Sequence, residues 1–185
     1  MRLALRPEHE KLRQELRDYY AELLTPEIKE EIRRSEGVGP VVRRIVRKMG
    51  EDGWLGIGWP KEYGGRGMTP IEQFIFFDES MRAGAPVPML TINSVAPTIM
   101  QFGTEEQKQF YLPRILRGEI HFAIGYTEPN AGTDLASLQC RAVRDGDHWV
   151  INGQKIFTSL ATDADYIWLA VRTDPWPDPN DPGKS

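Results

Sequence analysis

The sequence predicts an α+β protein, with an all-helical N-terminal domain over residues 1–118 and an antiparallel β domain over 119–173. Residues 174–185 are expected to form a Pro/Asp-rich loop or tail. Three observations predict this. Apolar residues recur at helical spacing up to about Gly118 and not beyond it. Past that point Asp145-Gly146 and Asn152-Gly153, both strong hairpin signals, separate short apolar runs. Finally, the helical segments come first and the strands after them, which is the α+β order rather than the alternation of a parallel sheet.

Each element has its own reason. Leu12, Leu16, Tyr19, Tyr20, Leu23 and Leu24 fall at i, i+4, i+7, i+8, i+11 and i+12, one face of a helix beginning near Pro7. Val41, Val42, Ile45, Val46 and Met49 form a second stripe, with Arg43, Arg44, Arg47 and Lys48 turned away from it. Thr69-Pro70-Ile71-Glu72 is a helix start: threonine caps, proline takes the first helical position, and glutamate reaches back. Ile71, Phe74, Ile75 and Met81 are then expected to face inward. The stretch from about Pro88 to Phe102 reads as helical despite Pro97 and the polar Asn93 and Ser94. Thr104-Glu105-Glu106-Gln107 repeats the capping pattern, and its helix should kink at Pro113 and stop at Gly118.

The strands follow. His121–Tyr126 is the first. Leu138–Arg144, His148–Asn152 and Lys155–Ser159 are expected to form a meander. Tyr166–Val171 is apolar throughout and reads as a strand buried on both faces. The segment TDPWPDPNDPGKS is a loop by its prolines and aspartates.

Composition narrows the function. The chain has 185 residues, a net charge of −4, 40% hydrophobic and 27% charged residues, an ordinary globular balance. An acidic excess argues against nucleic acid as the partner. No apolar run approaches membrane-spanning length, and the Arg- and Glu-rich start is unlike a signal peptide. The single cysteine, Cys140, excludes an internal disulfide and fits a cytoplasmic location. His9, His121 and His148 are scattered and offer no metal spacing.

The densest chemistry lies in Gly125–Asp134, GYTEPNAGTD. Pro129 stiffens a turn, Ala131 and Gly132 let a ligand approach the backbone, and Thr127 and Thr133 supply hydroxyls. Such a loop suits a flat, polar-edged ring. A surface turn with capping threonine and aspartate is the alternative reading.

Four motifs in order resemble those of the acyl-CoA dehydrogenase family. They are GWPKEYGGRG, FGTEEQKQFYLPRILRGE, YTEPNAGTDL and INGQKIFTS, spread over almost the whole chain. HFAIGYTEPNAGTDLASL and DADYIWLAVRTDP are similar to actinobacterial members that act on steroid side-chain CoA thioesters. The resemblance implies FAD held between a helical domain, a β domain and a C-terminal helical bundle. It also implies α,β-desaturation of an acyl-CoA, with an electron-transfer flavoprotein as electron acceptor and a homo- or hetero-oligomeric state. On this alignment the β domain is incomplete and the C-terminal bundle, which carries the family's catalytic glutamate, is absent, so no catalytic residue is assigned and the chain alone is expected to be inactive.

Carried over by residue, the resemblance implies cofactor contacts from Ile124, Gly125, Tyr126, Thr127, Gly132 and Thr133, with Thr133 also meeting the CoA thioester arm. Phe157, Thr158 and Ser159 would form the second flavin segment, with Phe157 packed on the ring and Ser159 donating toward N5. Phe157, Ser159 and Leu160 stand where the family often has tryptophan, threonine and asparagine. Glu128 is expected to support the loop rather than to act as a base. Read without the resemblance, Phe157 is a core residue and Ser159 a strand end. The Arg43–Lys48 cluster reads as a solvated helix face, with CoA phosphates as its alternative ligand, and Asn93 and Ser94 as a cap or acyl-cavity lining. A non-catalytic partner subunit and an acyl-CoA oxidase are the competing functions on the same scaffold.

Overall fold

A computed structural model describes residues 5–174, so all of the expected tail beyond Asp174 lies outside the described residues. The chain divides into two compact units between His121 and Phe122. The first is helical and the second carries the strands.

The helical unit contains α1 (Pro7–Leu23), α2 (Pro26–Arg34), α3 (Pro40–Glu51), α4 (Pro70–Ala83), α5 (Ala96–Phe102) and α6 (Glu105–Leu116). Its core is built from the stripes the periodicity identifies. Leu12, Leu16, Tyr20 and Leu24 are buried, with Val41, Val42, Ile45, Val46 and Met49 from α3. Helices α1 and α4 pack together, and polar groups fix their register. The buried Glu79 carboxylate accepts from Arg17 Nε at 2.9 Å and Nη2 at 3.0 Å and pairs with Arg13 Nε at 3.1 Å. Beside it the Tyr20 and Ser80 hydroxyls are 2.6 Å apart.

The helix boundaries follow local chemistry. Glu72 accepts from the Thr69 N–H at 2.7 Å, and Gln107 and Thr104 satisfy each other's N–H groups at 2.9 and 3.2 Å. At the end of α6, Gly118 takes φ +66° and Glu119 N–H bonds Arg114 O at 2.9 Å, closing the last turn. A side chain at Gly118 would put its Cβ 2.6 Å from Val46 O.

Several expectations need correction here. Ile71, Phe74 and Met81 are exposed; the face of α4 that is buried carries Ile75, Phe76, Glu79 and Ser80. Helix α4 is apolar on more than one face, and the neighbour it packs against, not its own period, selects the buried one. Helix α2 was not anticipated, although Thr25 accepts from Ile28 N–H and Pro26 takes the first position. Its apolar face is only Ile28 and Ile32, both half-buried, a stripe too short to stand out. The Pro88–Phe102 stretch is helical but includes a π-helical turn at Thr91–Val95, whose Ile92 carbonyl accepts from the Trp59 indole at 3.2 Å.

The second unit has β1 (Phe122–Gly125), β2 (Arg141–Asp145), β3 (His148–Asn152) and β4 (Tyr166–Leu169). The β2–β3 hairpin is antiparallel, with Val143 opposite Val150 across the Asp145–His148 turn. Strands β1 and β4, however, pair in parallel, Phe122 with Tyr166 through Gly125 with Leu169. The expectation of a wholly antiparallel domain is corrected at this pair: the long intervening segment lets the chain return in the same direction, which a two-residue turn never allows. The expected strand Lys155–Ser159 is irregular instead: Phe157 in its middle takes φ +54°, a left-handed conformation foreign to a strand. Strand β4 is not buried on both faces: Ile167 is exposed, and among the described residues β1 is its one strand neighbour.

Candidate functional site

The loop after β1 is built by a tight turn. Glu128 N–H bonds Ala131 O at 2.8 Å and Ala131 N–H bonds Glu128 O at 3.2 Å, with Pro129 and Asn130 at the tip. This reversal brings Gly132, Thr133 and Asp134 out to the surface. The N–H groups of Gly132 and Thr133 form no backbone hydrogen bond among the described residues. A Cβ on Gly132 would meet nothing within 4 Å and its φ is not positive, so neither backbone conformation nor packing within the chain requires glycine there. Gly125 differs. It is buried in β1, and a Cβ would sit 2.8 Å from Leu169 Cδ1 and 2.9 Å from Ile167 Cγ2, so packing alone explains it.

The remaining residues of the first segment are held by β4 and its neighbours. Ile124 pairs with Trp168. The Tyr126 hydroxyl accepts from the Trp168 indole at 3.1 Å, which occupies that donor–acceptor group and orients the ring. Thr127 contributes its carbonyl to the Ile156 N–H at 2.9 Å and is half-buried.

The second segment is exposed and strained. Phe157 is 81% exposed, with φ +54°. Phe157 therefore lies outside the apolar core of the described residues. Left-handed backbone at a non-glycine residue is strained, and such strain clusters at functional sites. Thr158 is half-buried, and Ser159 is exposed with its N–H on Phe157 O at 2.8 Å.

A buried ion pair joins the two segments. Lys155 Nζ donates to Glu128 Oε1 at 2.7 Å and to Tyr126 O at 3.0 Å, and both charged side chains are under 10% exposed, at 9% and 7%. Glu128 also accepts from Gln139 N–H at 2.6 Å and Cys140 N–H at 2.8 Å. Burial pushes this carboxyl up, but the Lys155 ammonium and the two backbone N–H groups outweigh it and leave it below the ordinary carboxylate range. Glu128 is thus an ionised support whose two oxygens are both engaged. Sequence reading identified its supporting role but not Lys155, although a lysine three residues after Asn152 in NGQK was visible.

The remaining candidates stay peripheral. Asn93 and Ser94 are exposed on the π-helical turn, where Asn93 Oδ1 accepts from Gln73 at 3.5 Å. Arg44, Arg47 and Lys48 are exposed, and Lys48 pairs with Asp52. No group of metal-binding residues occurs among the described residues, and no described helix is long and apolar enough to cross a membrane.

Comparison with known proteins bears on both units. Residues 6–119 match the family described as acyl-CoA dehydrogenase, N-terminal domain, and residues 123–183 match its middle domain. The chain is 60% identical over 178 residues to acyl-CoA dehydrogenase FadE26 of Mycobacterium tuberculosis, covering 95% of this chain and 44% of that protein. Among solved structures, it is similar to the ChsE4-ChsE5 complex of Mycobacterium tuberculosis, with a TM-score of 0.90 and 59% identity over 95% of this chain and 45% of that one. It is also similar to the Tcur3481-Tcur3483 steroid ACAD, with a TM-score of 0.88 and 58% identity over 95% and 46%. The chain therefore spans less than half the length of these relatives.

Proposed function

The chain belongs to the acyl-CoA dehydrogenase family, and from that premise we propose that it is the N-terminal portion of an FAD-dependent enzyme that desaturates an acyl-CoA thioester. A steroid side-chain thioester is the proposed substrate class, supported by the likeness to the Tcur3481-Tcur3483 steroid ACAD. The observation that carries the reading is Phe157, an aromatic ring exposed on strained backbone and tied through Lys155 and Ile156 to a loop with open glycine backbone.

The residues fit an isoalloxazine. Its flat ring needs an apolar face, which Phe157 offers, and donors at its polar edge, which Thr127, Thr133, Ser159 and the N–H groups of Gly132 and Thr133 supply. When bound, FAD would supply the hydride acceptor for the β-carbon of the substrate. Donors fixed at the ring edge favour the negative charge that accumulates there on reduction and need no reorganisation at that moment. Ile124, Gly125 and Tyr126 serve as the rigid strand end from which this loop departs, and Thr158 sets the spacing between Phe157 and Ser159. Thr133, exposed at the rim, is the proposed contact for the thioester arm.

No residue of this chain is proposed as the base. Glu128 is the buried carboxylate of the loop, and an ionised group whose two oxygens are engaged by three donors is held as a support rather than poised to take an α-proton. The base, the remaining FAD contacts and most of the subunit interface are assigned to the rest of the parent protein. An electron-transfer flavoprotein is the proposed acceptor and the cytoplasm the proposed location. A second, related subunit is the proposed partner, because one solved relative is a complex of two proteins, ChsE4 and ChsE5. The same observation keeps the non-catalytic partner subunit as a second reading.

The parent protein, purified with its partner, should carry FAD and oxidise a steroid side-chain CoA with an artificial acceptor. Gly132→Leu should fold, since its Cβ has open space, yet lose the flavin. Normal flavin content in that variant would remove the loop from the ring site. Flavin without turnover for any acyl-CoA would favour the non-catalytic reading.

A further inference from the structure

We propose that Lys155 is a positioning residue: its buried pair with Glu128 locks residues 124–133 and 157–159 into one flavin-facing surface, so that its loss weakens cofactor binding without unfolding the unit. This rests on the assignment of the ring site above and names the device that holds it.

The argument begins with what else connects the two segments. Neither residues 126–133 nor 153–159 form a named strand, so no ladder aligns them. One main-chain bond spans them, Ile156 N–H to Thr127 O at 2.9 Å. Lys155 adds two more links at adjacent positions, to Tyr126 O on one side of Thr127 and to Glu128 Oε1 on the other. Three consecutive residues of the first segment are thus held by two consecutive residues of the second.

Burial makes this arrangement consequential. A lysine and a glutamate are seldom this enclosed unless each is paired, because removing either charge from water is costly. The cost is met here by further donors and acceptors. Glu128 takes the Gln139 and Cys140 N–H groups, and Lys155 takes a carbonyl. Replacing the whole pair by apolar groups would change stability little, whereas removing Lys155 alone leaves Glu128 buried with its two N–H donors, a cost that falls on the segment Lys155 anchors. Phe157 lies two residues beyond Lys155 on backbone at φ +54°, a conformation that persists only where its surroundings over-determine it. Lys155 is the nearest fully anchored side chain on its own segment. When it is lost, the Glu128 carboxylate stays buried beside two N–H donors but the second segment is held by Ile156 alone, and Phe157 is free to relax toward ordinary φ.

The test uses the full-length parent with its partner subunit and compares Lys155→Met, Lys155→Arg and Glu128→Gln with Gly132→Leu. FAD affinity is read from flavin fluorescence and the visible flavin spectrum. Local order is read from hydrogen exchange at Gln139, Cys140 and Ile156 against the β2–β3 hairpin. Lys155→Met should weaken FAD by about tenfold or more, shift the bound flavin spectrum and speed exchange at Ile156, while hairpin protection is unchanged. Lys155→Arg, which keeps the charge, should recover most of the affinity. Wild-type affinity in Lys155→Met beside lost flavin in Gly132→Leu would overturn the positioning role and leave the ring site standing. Retained flavin in both would overturn the ring site and this inference with it. Lost hairpin protection, or insoluble protein from both Lys155→Met and Glu128→Gln, would show that the pair serves folding and would equally overturn it.

Discussion

In the helical unit the largest side chains face one another: Leu16, Tyr20, Ile45, Met49, Ile75 and Phe76 are each no more than 2% exposed. In the β unit the large side chains of the hairpin face outward. Val143, Trp149, Val150 and Ile151 are all close to half exposed, and β2 and β3 together bury Ala142 alone. The first unit encloses the apolar stripes of α1 and α3. The second is organised around polar links: Glu128 with its three donor groups, Trp168 on Tyr126, and Arg172 Nε on Leu138 O at 2.6 Å. Apolar burial supplies bulk stability without direction, whereas hydrogen bonds fix geometry at modest net gain. A unit held chiefly by polar links suits a site whose atoms must be placed, and it presents apolar surface for other chain to cover.

The sharpest way to break this contrast is Phe76→Ala. Phe76 is fully buried and stacked with Trp54 at 6.4 Å, so the helical unit should lose about 3–5 kcal/mol. Denaturant unfolding followed by helical circular dichroism measures it, and a loss near that of a surface site would mean the core is not where the contrast places it. Next comes Gly118→Val, which combines positive φ with a Cβ contact at 2.6 Å to Val46 O and should cost about 1–3 kcal/mol or more. The matched Gly132→Val has open space and should leave the unfolding midpoint unchanged.

A pH series sharpens the comparison further. Glu128 has a folded pKa below its ordinary value of 4.5, so the unfolded chain takes up its proton first as pH falls. Its contribution is complete above that ordinary value and is lost as pH drops through the lowered folded value. Exchange at Gln139 and Cys140 should accelerate over that acid range and lose this dependence in Glu128→Gln. The smaller effect is Thr104→Ala, about 1 kcal/mol from the lost cap of α6. Ile151→Thr on the exposed hairpin should fall within about 0.5 kcal/mol.

Much of this was legible before any coordinates, and for local reasons. The α1 and α3 stripes, both capping boxes, the stop at Gly118 and the Asp145-Gly146 hairpin are determined by contacts a few residues apart. The loop with Gly132 and Thr133 was also legible, because proline, glycine and hydroxyl residues carry their preferences with them. Helix α2 hid because its apolar period is a single pair, Ile28 and Ile32, neither of them fully buried. The exposed Ile71, Phe74 and Met81 were misread because α4 offers apolar side chains on more than one face.

By itself, then, the sequence determined the α+β order, the element boundaries set by caps and turns, and the motifs that carry the family likeness. Only the tertiary structure decided which face of α4 is buried, that β1 and β4 run parallel, that Phe157 stands in water on left-handed backbone, and that Lys155 reaches Glu128 across 27 residues of chain. The physical reason is range. Propensity, capping and turn chemistry act within a turn or two of chain, while burial, strand direction and ion pairing depend on which distant segment arrives alongside.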